Sequence, residues 1–145
     1  MKDIHSDLRR IVAIGAAVLS ADNTPTNLDL QGYDAAEVLL DIGVGGITFS
    51  GVNKIEFVLS HSDDGTTFAP VTNDDMLGVT GITGGIIKAL VAAHAAPGAY
   101  RYGYKGGRRF LRLLADFSGT HGSGTPIAAS ILLGHGHDNP QANQA

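Results

Sequence analysis

An all-β domain of short antiparallel strands is the fold this sequence predicts, and three observations predict it. Glycine supplies 20 of the 145 residues, about twice the usual share of about 7%. These glycines punctuate short runs of Val, Ile, Leu, Phe and Tyr without a G-X-Y period, which excludes collagen and fits strands joined by turns that need positive φ. Three segments, Glu37 to Ile42, Lys54 to Ser62 and Arg109 to Asp116, alternate or cluster apolar residues as half-buried strands do.

Length and composition bound the rest. A chain of 145 residues forms one compact unit, and 43% hydrophobic against 17% charged residues is enough apolar side chain to offset ordering entropy. Net charge is −4, without the basic excess that binds phosphate backbones, so no nucleic-acid partner is expected. The sequence has no cysteine, which excludes disulfides, thiolate metal sites and a cysteine nucleophile.

Residues 1–20 form an N-terminal arm or first strand. Lys2, Arg9 and Arg10 precede the apolar run Ile11 to Leu19 in the manner of an export signal, but Asp3 and Asp7 put acid where a leader is basic. The run is also shorter than the about 20 apolar residues that cross a membrane, and no membrane partner is expected. It reads as a buried first strand or an arm lying on a neighbouring subunit. Residues 21–134 form the β domain. Asp22 to Thr26 is a turn cluster, and Val38, Leu40 and Ile42 give the next strand an apolar face. The loop Gly43 to Gly51 is rich in glycine, but it lacks the lysine and the Ser/Thr of a phosphate loop, and no helix follows.

Lys54 to Ser62 is the cleanest strand, and Ser62 to Phe68 (SDDGTTF) reads as a hairpin turn in which an aspartate closes an Asx-turn. Calcium ligation by Asp63 and Asp64 lacks the further oxygens that such a loop supplies. Thr72 to Gly85 is a long surface connection or a pair of short edge strands. Ile86 to Ala96 fits a helical stripe or a strand, with strand favoured, and His94 within it reads as a packed histidine. Tyr100 to Arg112 reads as a hairpin in which Tyr100, Tyr102 and Tyr104 stand among Arg101, Lys105, Arg108, Arg109 and Arg112. Tyr and Arg in this density suit a protein interface, although the tyrosines could equally pack the core with the arginines solvated. A small flexible loop, Ser118 to Gly124, leads to the last strand, Thr125 to Gly134, and residues 135–145 read as a polar flexible tail. There His135 and His137 with Asp138 offer only a weak adventitious metal site. No nucleophile elbow, H-E-x-x-H helix or other catalytic motif is present, and the chain is not read as an enzyme.

The order LDLQGY (28–33), KIEFVLSHSDDGTTF (54–68), YRYGYKGGRRFLRLLADFSG (100–119) and a closing strand ending in GHG resembles small virion structural proteins of tailed bacteriophages, of the capsid decoration (cement) type. The similarity spans about residues 8–140, and its motifs S-D-D-G-x-x-F and G-Y-K-G-G-R-R-F-L-R-L say little about the position occupied in the virion. The resemblance implies a β-sandwich of jelly-roll type. Together with the glycine spacing this gives an antiparallel sandwich of about eight short strands with little helix. It further implies a homo-oligomer, a trimer by match to local three-fold axes, that binds the major capsid protein on the head surface after assembly in the host cytoplasm, without a cofactor. Candidate contact residues are Ile4, Leu8, Arg9 and Arg10 in the arm, with Tyr100, Arg101, Tyr102, Tyr104, Lys105, Arg108, Arg109 and Arg112. A host-surface or carbohydrate-binding β-sandwich module of the virion, on a tail or head appendage, is the alternative; the sequence has no Trp and its tyrosines are gathered beside arginines, which favours protein contact.

Overall fold

The computed structural model describes residues 3–144, and almost all regular structure in it is β. Ten strands are present: β1 (Arg9–Leu19), β2 (Leu28–Asp29), β3 (Tyr33–Ile42), β4 (Lys54–Ser62), β5 (Ala69–Pro70), β6 (Met76–Leu77), β7 (Ile86–Leu90), β8 (Gly98–Tyr104), β9 (Phe110–Ser118) and β10 (Thr125–Gly136). Helical structure is confined to two 3₁₀ turns, His5–Asp7 and Asn73–Asp75. One sheet has the order β1-β10-β3-β8-β6. The other runs β2-β9-β4-β5, with β7 also paired to β4. All pairings are antiparallel. Set aside the two-residue β5 and β6, and the remaining eight strands form two four-stranded sheets, β1-β10-β3-β8 and β2-β9-β4-β7, in which the chain changes sheet at every step except from β4 to β7, which is the jelly-roll arrangement. The expected count of about eight therefore describes the frame, and two short strands are added to it.

Period-two patterning builds the core from both inner faces. Val38, Leu40 and Ile42 of β3 and Ile127, Ala129, Ile131 and Leu133 of β10 meet Ile55, Phe57 and Leu59 of β4 and Leu111, Leu113 and Ala115 of β9, all buried. Phe57 is fully enclosed, and Phe49, Val71 and Met76 close the ends. Burial of this kind contributes roughly 1.5–3 kcal/mol per large side chain. Ile86–Leu90 is a strand paired to β4, as favoured, and the chain leaves it at Val91. His94 is half-buried, sharing hydrogen bonds with the Gly43 carbonyl (2.9 Å) and the Tyr100 hydroxyl (3.0 Å).

The SDDGTTF turn forms as expected: Asp64 Oδ1 accepts from the Thr66 and Thr67 N–H groups at 2.8 Å, and Gly65 takes φ +71°. Four expectations are corrected. Tyr100 to Arg112 is not a hairpin, because β8 pairs with β3 and β6 while β9 pairs with β2 and β4 in the opposite sheet; Lys105–Arg109 carries the chain across the sandwich. The loop Ser118 to Gly124 is anchored, not loose, since His121 is buried against Phe49 and Phe117 and bonds the Ser118 carbonyl at 2.8 Å. The tail expected to fray extends β10 to Gly136 and then straps onto the first residues. His137 N–H donates to the Gly32 carbonyl (2.9 Å), Gln141 N–H to the Ser6 carbonyl (2.8 Å), and Tyr33 bonds Gln141. Residues 9–19, finally, do form the first strand, but it lies at the edge of the sandwich with only Ile14 fully buried, and is not buried along its length.

Candidate assembly surface

The sequence-predicted contact residues fall into three groups. In β8 the alternation is decisive. Tyr100, Tyr102 and Tyr104 share the inward parity, while Arg101 and Gly103 point outward. Tyr102 and Tyr104 are buried, and burial pushes the Tyr102 phenol up to about 12. Tyr100 is half-buried, with Lys88 Nζ lying 4.2 Å from its ring centroid. Tyr102 and Tyr104 are therefore core, and they leave the list of contact candidates. Tyr104 also has a structural task. Its hydroxyl bonds buried His61 Nδ1 at 2.9 Å and accepts the Arg108 N–H at 3.1 Å, pinning the crossing segment to the core. Burial holds the His61 imidazole below its ordinary pKa.

The basic residues are divided between opposite faces because β8 and β9 lie in different sheets. Arg101, on the outer face of the β1-containing sheet, pairs with Glu37 at 3.1 Å. Arg109 makes a bidentate pair with Asp29 (2.9 and 2.8 Å), which fastens β9 to β2 and draws the Asp29 carboxyl below its usual range. Arg112 donates to Asn27 (2.7 Å) and covers the Phe68 ring at 4.0 Å. Arg108 lies 3.8 Å from Asp63, and Lys105 is exposed beside a cleft of about 660 Å³ that also includes Leu30, Tyr33, Asp34 and Leu77. Arg109 and Arg112 are thus engaged within the chain, and the expected single basic patch is not formed.

The arm residues behave differently. Ile4 is 67% exposed, and with half-buried Leu8 it lines a hollow of about 480 Å³ over Leu132, Gly134 and Glu37. Arg9 and Arg10 are exposed at the start of β1, and Arg10 Nε donates to Ser130 Oγ at 2.7 Å. This hollow opens on the outer face of the β1-β10-β3-β8-β6 sheet. At the other end of that face, a shallow groove of about 630 Å³ is lined by Ala16, Val18, Gly43, Pro97, Ala99 and Ala128, with Asp41 as its acid. Val12, Val18 and Leu77 are each more than half exposed, and Leu39 and Leu132 stand half-covered between them. The outer face of this sheet is therefore apolar with a few charges, as recognition faces are.

Sequence reading missed Val12, Val18 and Leu77 as surface residues, whereas Leu39 shares the outward parity of Glu37 and Asp41. The signal was present in the run Ile11 to Leu19, which is apolar at every position. Such a strand has no polar face to give to water, so it is covered on both faces or set at an edge that leaves one uncovered. Among the described residues no three His, Asp or Glu side chains are grouped to hold a metal ion, and His135 and His137 diverge: His137 bonds Asp34 at 2.8 Å, while His135 is exposed with φ 52°.

No family profile and no curated protein matches the chain. A solved structure described as "Bacillus endospore appendages form a novel family of disulfide-linked pili" is similar at 13% identity and a TM-score of 0.34, with 92% of this chain and 95% of that chain covered. At that score the likeness carries no argument, and this chain has no cysteine.

Proposed function

We propose that the protein is a structural virion subunit, a phage head decoration protein that binds the outer capsid surface and stabilises the shell by bridging capsid subunits. The observation that supports this reading is the apolar outer face of the β1-β10-β3-β8-β6 sheet, flanked by Ile4, Leu8, Arg10 and Arg101 and bordered by an 11-residue edge strand. Such a face fits a protein surface. A glycan platform would need exposed aromatic rings, and the β8 tyrosines are buried or covered by Lys88. The partners in this reading are the major capsid protein and further copies of the chain, as a trimer on local three-fold axes, with no cofactor. Repetition of modest contacts over a lattice raises effective concentration and makes the sum strong.

Co-sedimentation with empty capsids lacking the protein tests the reading. The unmodified protein is expected to pellet at saturable stoichiometry, and Leu39→Lys with Leu132→Lys to stay in the supernatant while melting as a folded domain. Absence of binding by the unmodified protein removes the function. Full binding by the folded double variant moves the contact to another face.

A further inference from the structure

We infer that the outer edge of β1 is a docking edge for β1 of a second copy, paired antiparallel about a two-fold axis at Gly15. Among the described residues β1 pairs with β10 alone and has no strand on its other side. An 11-residue apolar edge of this kind presents its N–H and C=O groups for pairing with another chain.

The backbone directions along that edge select the register. Arg10 turns both its N–H and its C=O outward, because both bond the side-chain amide of Gln144 (2.8 and 2.9 Å), which sits there as a neighbouring strand would. Val12 is two residues on in the same register with β10 (Arg10 opposite Leu132, Val12 opposite Ser130), so its peptide groups also point outward. At the other end Val18 faces Pro126, which has no N–H and whose C=O accepts from Gly43 on the far side at 2.8 Å. The peptide groups of Val18 therefore face the open edge too. Two irregularities between Val12 and Ala17 restore the parity of the strand. Val12 and Val18 lie equally far from Gly15, three residues on either side. A two-fold at Gly15 thus sets Val12 opposite Val18 of the second copy, and Val18 opposite its Val12, each with outward backbone groups and with side chains 66% and 62% exposed.

Three further features fit this register. Of the residues nearest the axis, Ile14 is buried toward the core and Ala13, Gly15, Ala16 and Ala17 are small, and a Cβ built on Gly15 meets nothing within 4 Å, so the irregular backbone there can be approached closely. Arg9 and Arg10 begin β1, so antiparallel pairing keeps the arginines of the two copies at opposite ends, where parallel pairing would set arginine on arginine. Arg10 would face Ser20 of the second copy, one residue beyond the end of β1, and that is where the Gln144 strap takes over. The contact is independent of capsid binding, and in a lattice it would join neighbouring oligomers across their two-folds.

Because the chain has no cysteine, engineered thiols report the register directly. Val12→Cys protein mixed with Val18→Cys protein is expected to give a disulfide-linked dimer under mild oxidation, since Cα atoms of a hydrogen-bonded pair stand about 5.5 Å apart. Either variant alone is not, because like positions would be separated by six residues, about 20 Å. By sedimentation equilibrium at micromolar concentration, Val12→Lys with Val18→Lys, both exposed and so compatible with folding, should lose the species of twice the 15.0 kDa chain mass. The inference is overturned if the unmodified chain sediments at 15.0 kDa, if the folded lysine variant keeps its dimer, or if each cysteine variant cross-links with itself as readily as with the other. Failure of capsid binding with the mixed disulfide intact would sink the proposed function and leave this contact standing.

Discussion

Removing one oxygen atom, in Tyr104→Phe, tests how the chain is held as it crosses from β8 to β9. The ring fills the same space, so packing is conserved and only the hydroxyl is lost. That hydroxyl serves buried His61 Nδ1 at 2.9 Å and the part-buried Arg108 N–H at 3.1 Å. Leaving a buried group unsatisfied costs about 1–3 kcal/mol and a lost ordinary hydrogen bond about 1 kcal/mol, for a total of about 2–4 kcal/mol. At about 3 °C per kcal/mol for a domain of this size, the melting temperature should fall by about 6–12 °C. Urea denaturation of the single variants and of Tyr104→Phe in a His61→Leu background completes a double-mutant cycle. In that background the imidazole is gone, and the cost of the hydroxyl should shrink by about 1–3 kcal/mol. A Tyr104→Phe protein within about 0.5 kcal/mol of the parent, or strict additivity with His61→Leu, would refute the reasoning.

The remaining predictions are shorter. Burial lowers the His61 pKa, so below about pH 6.5 the unfolded chain takes up a proton that the folded chain resists; melting temperature should fall from neutral pH toward about pH 5, and His61→Leu should flatten that slope. His137 acts with the opposite sign, because Asp34 raises its pKa and the benefit is lost as pH rises; Asp34→Asn should remove that small alkaline loss in the same scan. Asp64→Ala should lower the melting temperature and Asp64→Asn less so, since three donors hold this carboxyl far below its usual range and the stabilisation disappears only in strong acid. Gly46→Ala should cost about 2 kcal/mol or more, because its Cβ would stand 1.8 Å from the Gly124 carbonyl oxygen; Gly51→Ala, with open space around it, is the control in the same denaturant titration.

Local chemistry was legible where one residue decides one contact. The apolar parity of Val38, Leu40 and Ile42 and of Ile55, Phe57 and Leu59 names the inner faces directly, and Ser62, Asp64 and Gly65 specify their own turn. The partner of each strand was not legible. Tyr100 to Arg112 looks the same whether its halves pair with each other or separate, because alternation encodes which side is apolar and not which neighbour lies alongside. The division of the basic residues follows from that, and the engagement of Arg109 with Asp29 depends on residues 80 positions apart. Parity within β8 already set Tyr102 and Tyr104 opposite Arg101, and their burial was readable there. The strap of Gln141 and Gln144 was hidden because a polar, glycine- and asparagine-rich sequence looks alike whether water or a strand edge satisfies it.

The pairing of β1 with β10 also has a consequence for how the protein comes into being. The ribosome delivers the apolar run Ile11 to Leu19 more than a hundred residues before the strand that pairs with it within the chain, Thr125–Gly136, emerges. Until then the nascent chain carries an unprotected adhesive segment, exposed for seconds at ordinary rates of synthesis. Interrupted products keep that segment bare and become clients for chaperones and proteases. Only a chain translated through β10 covers the inner edge of β1, so the sandwich closes at its first strand only when its last strand has been made.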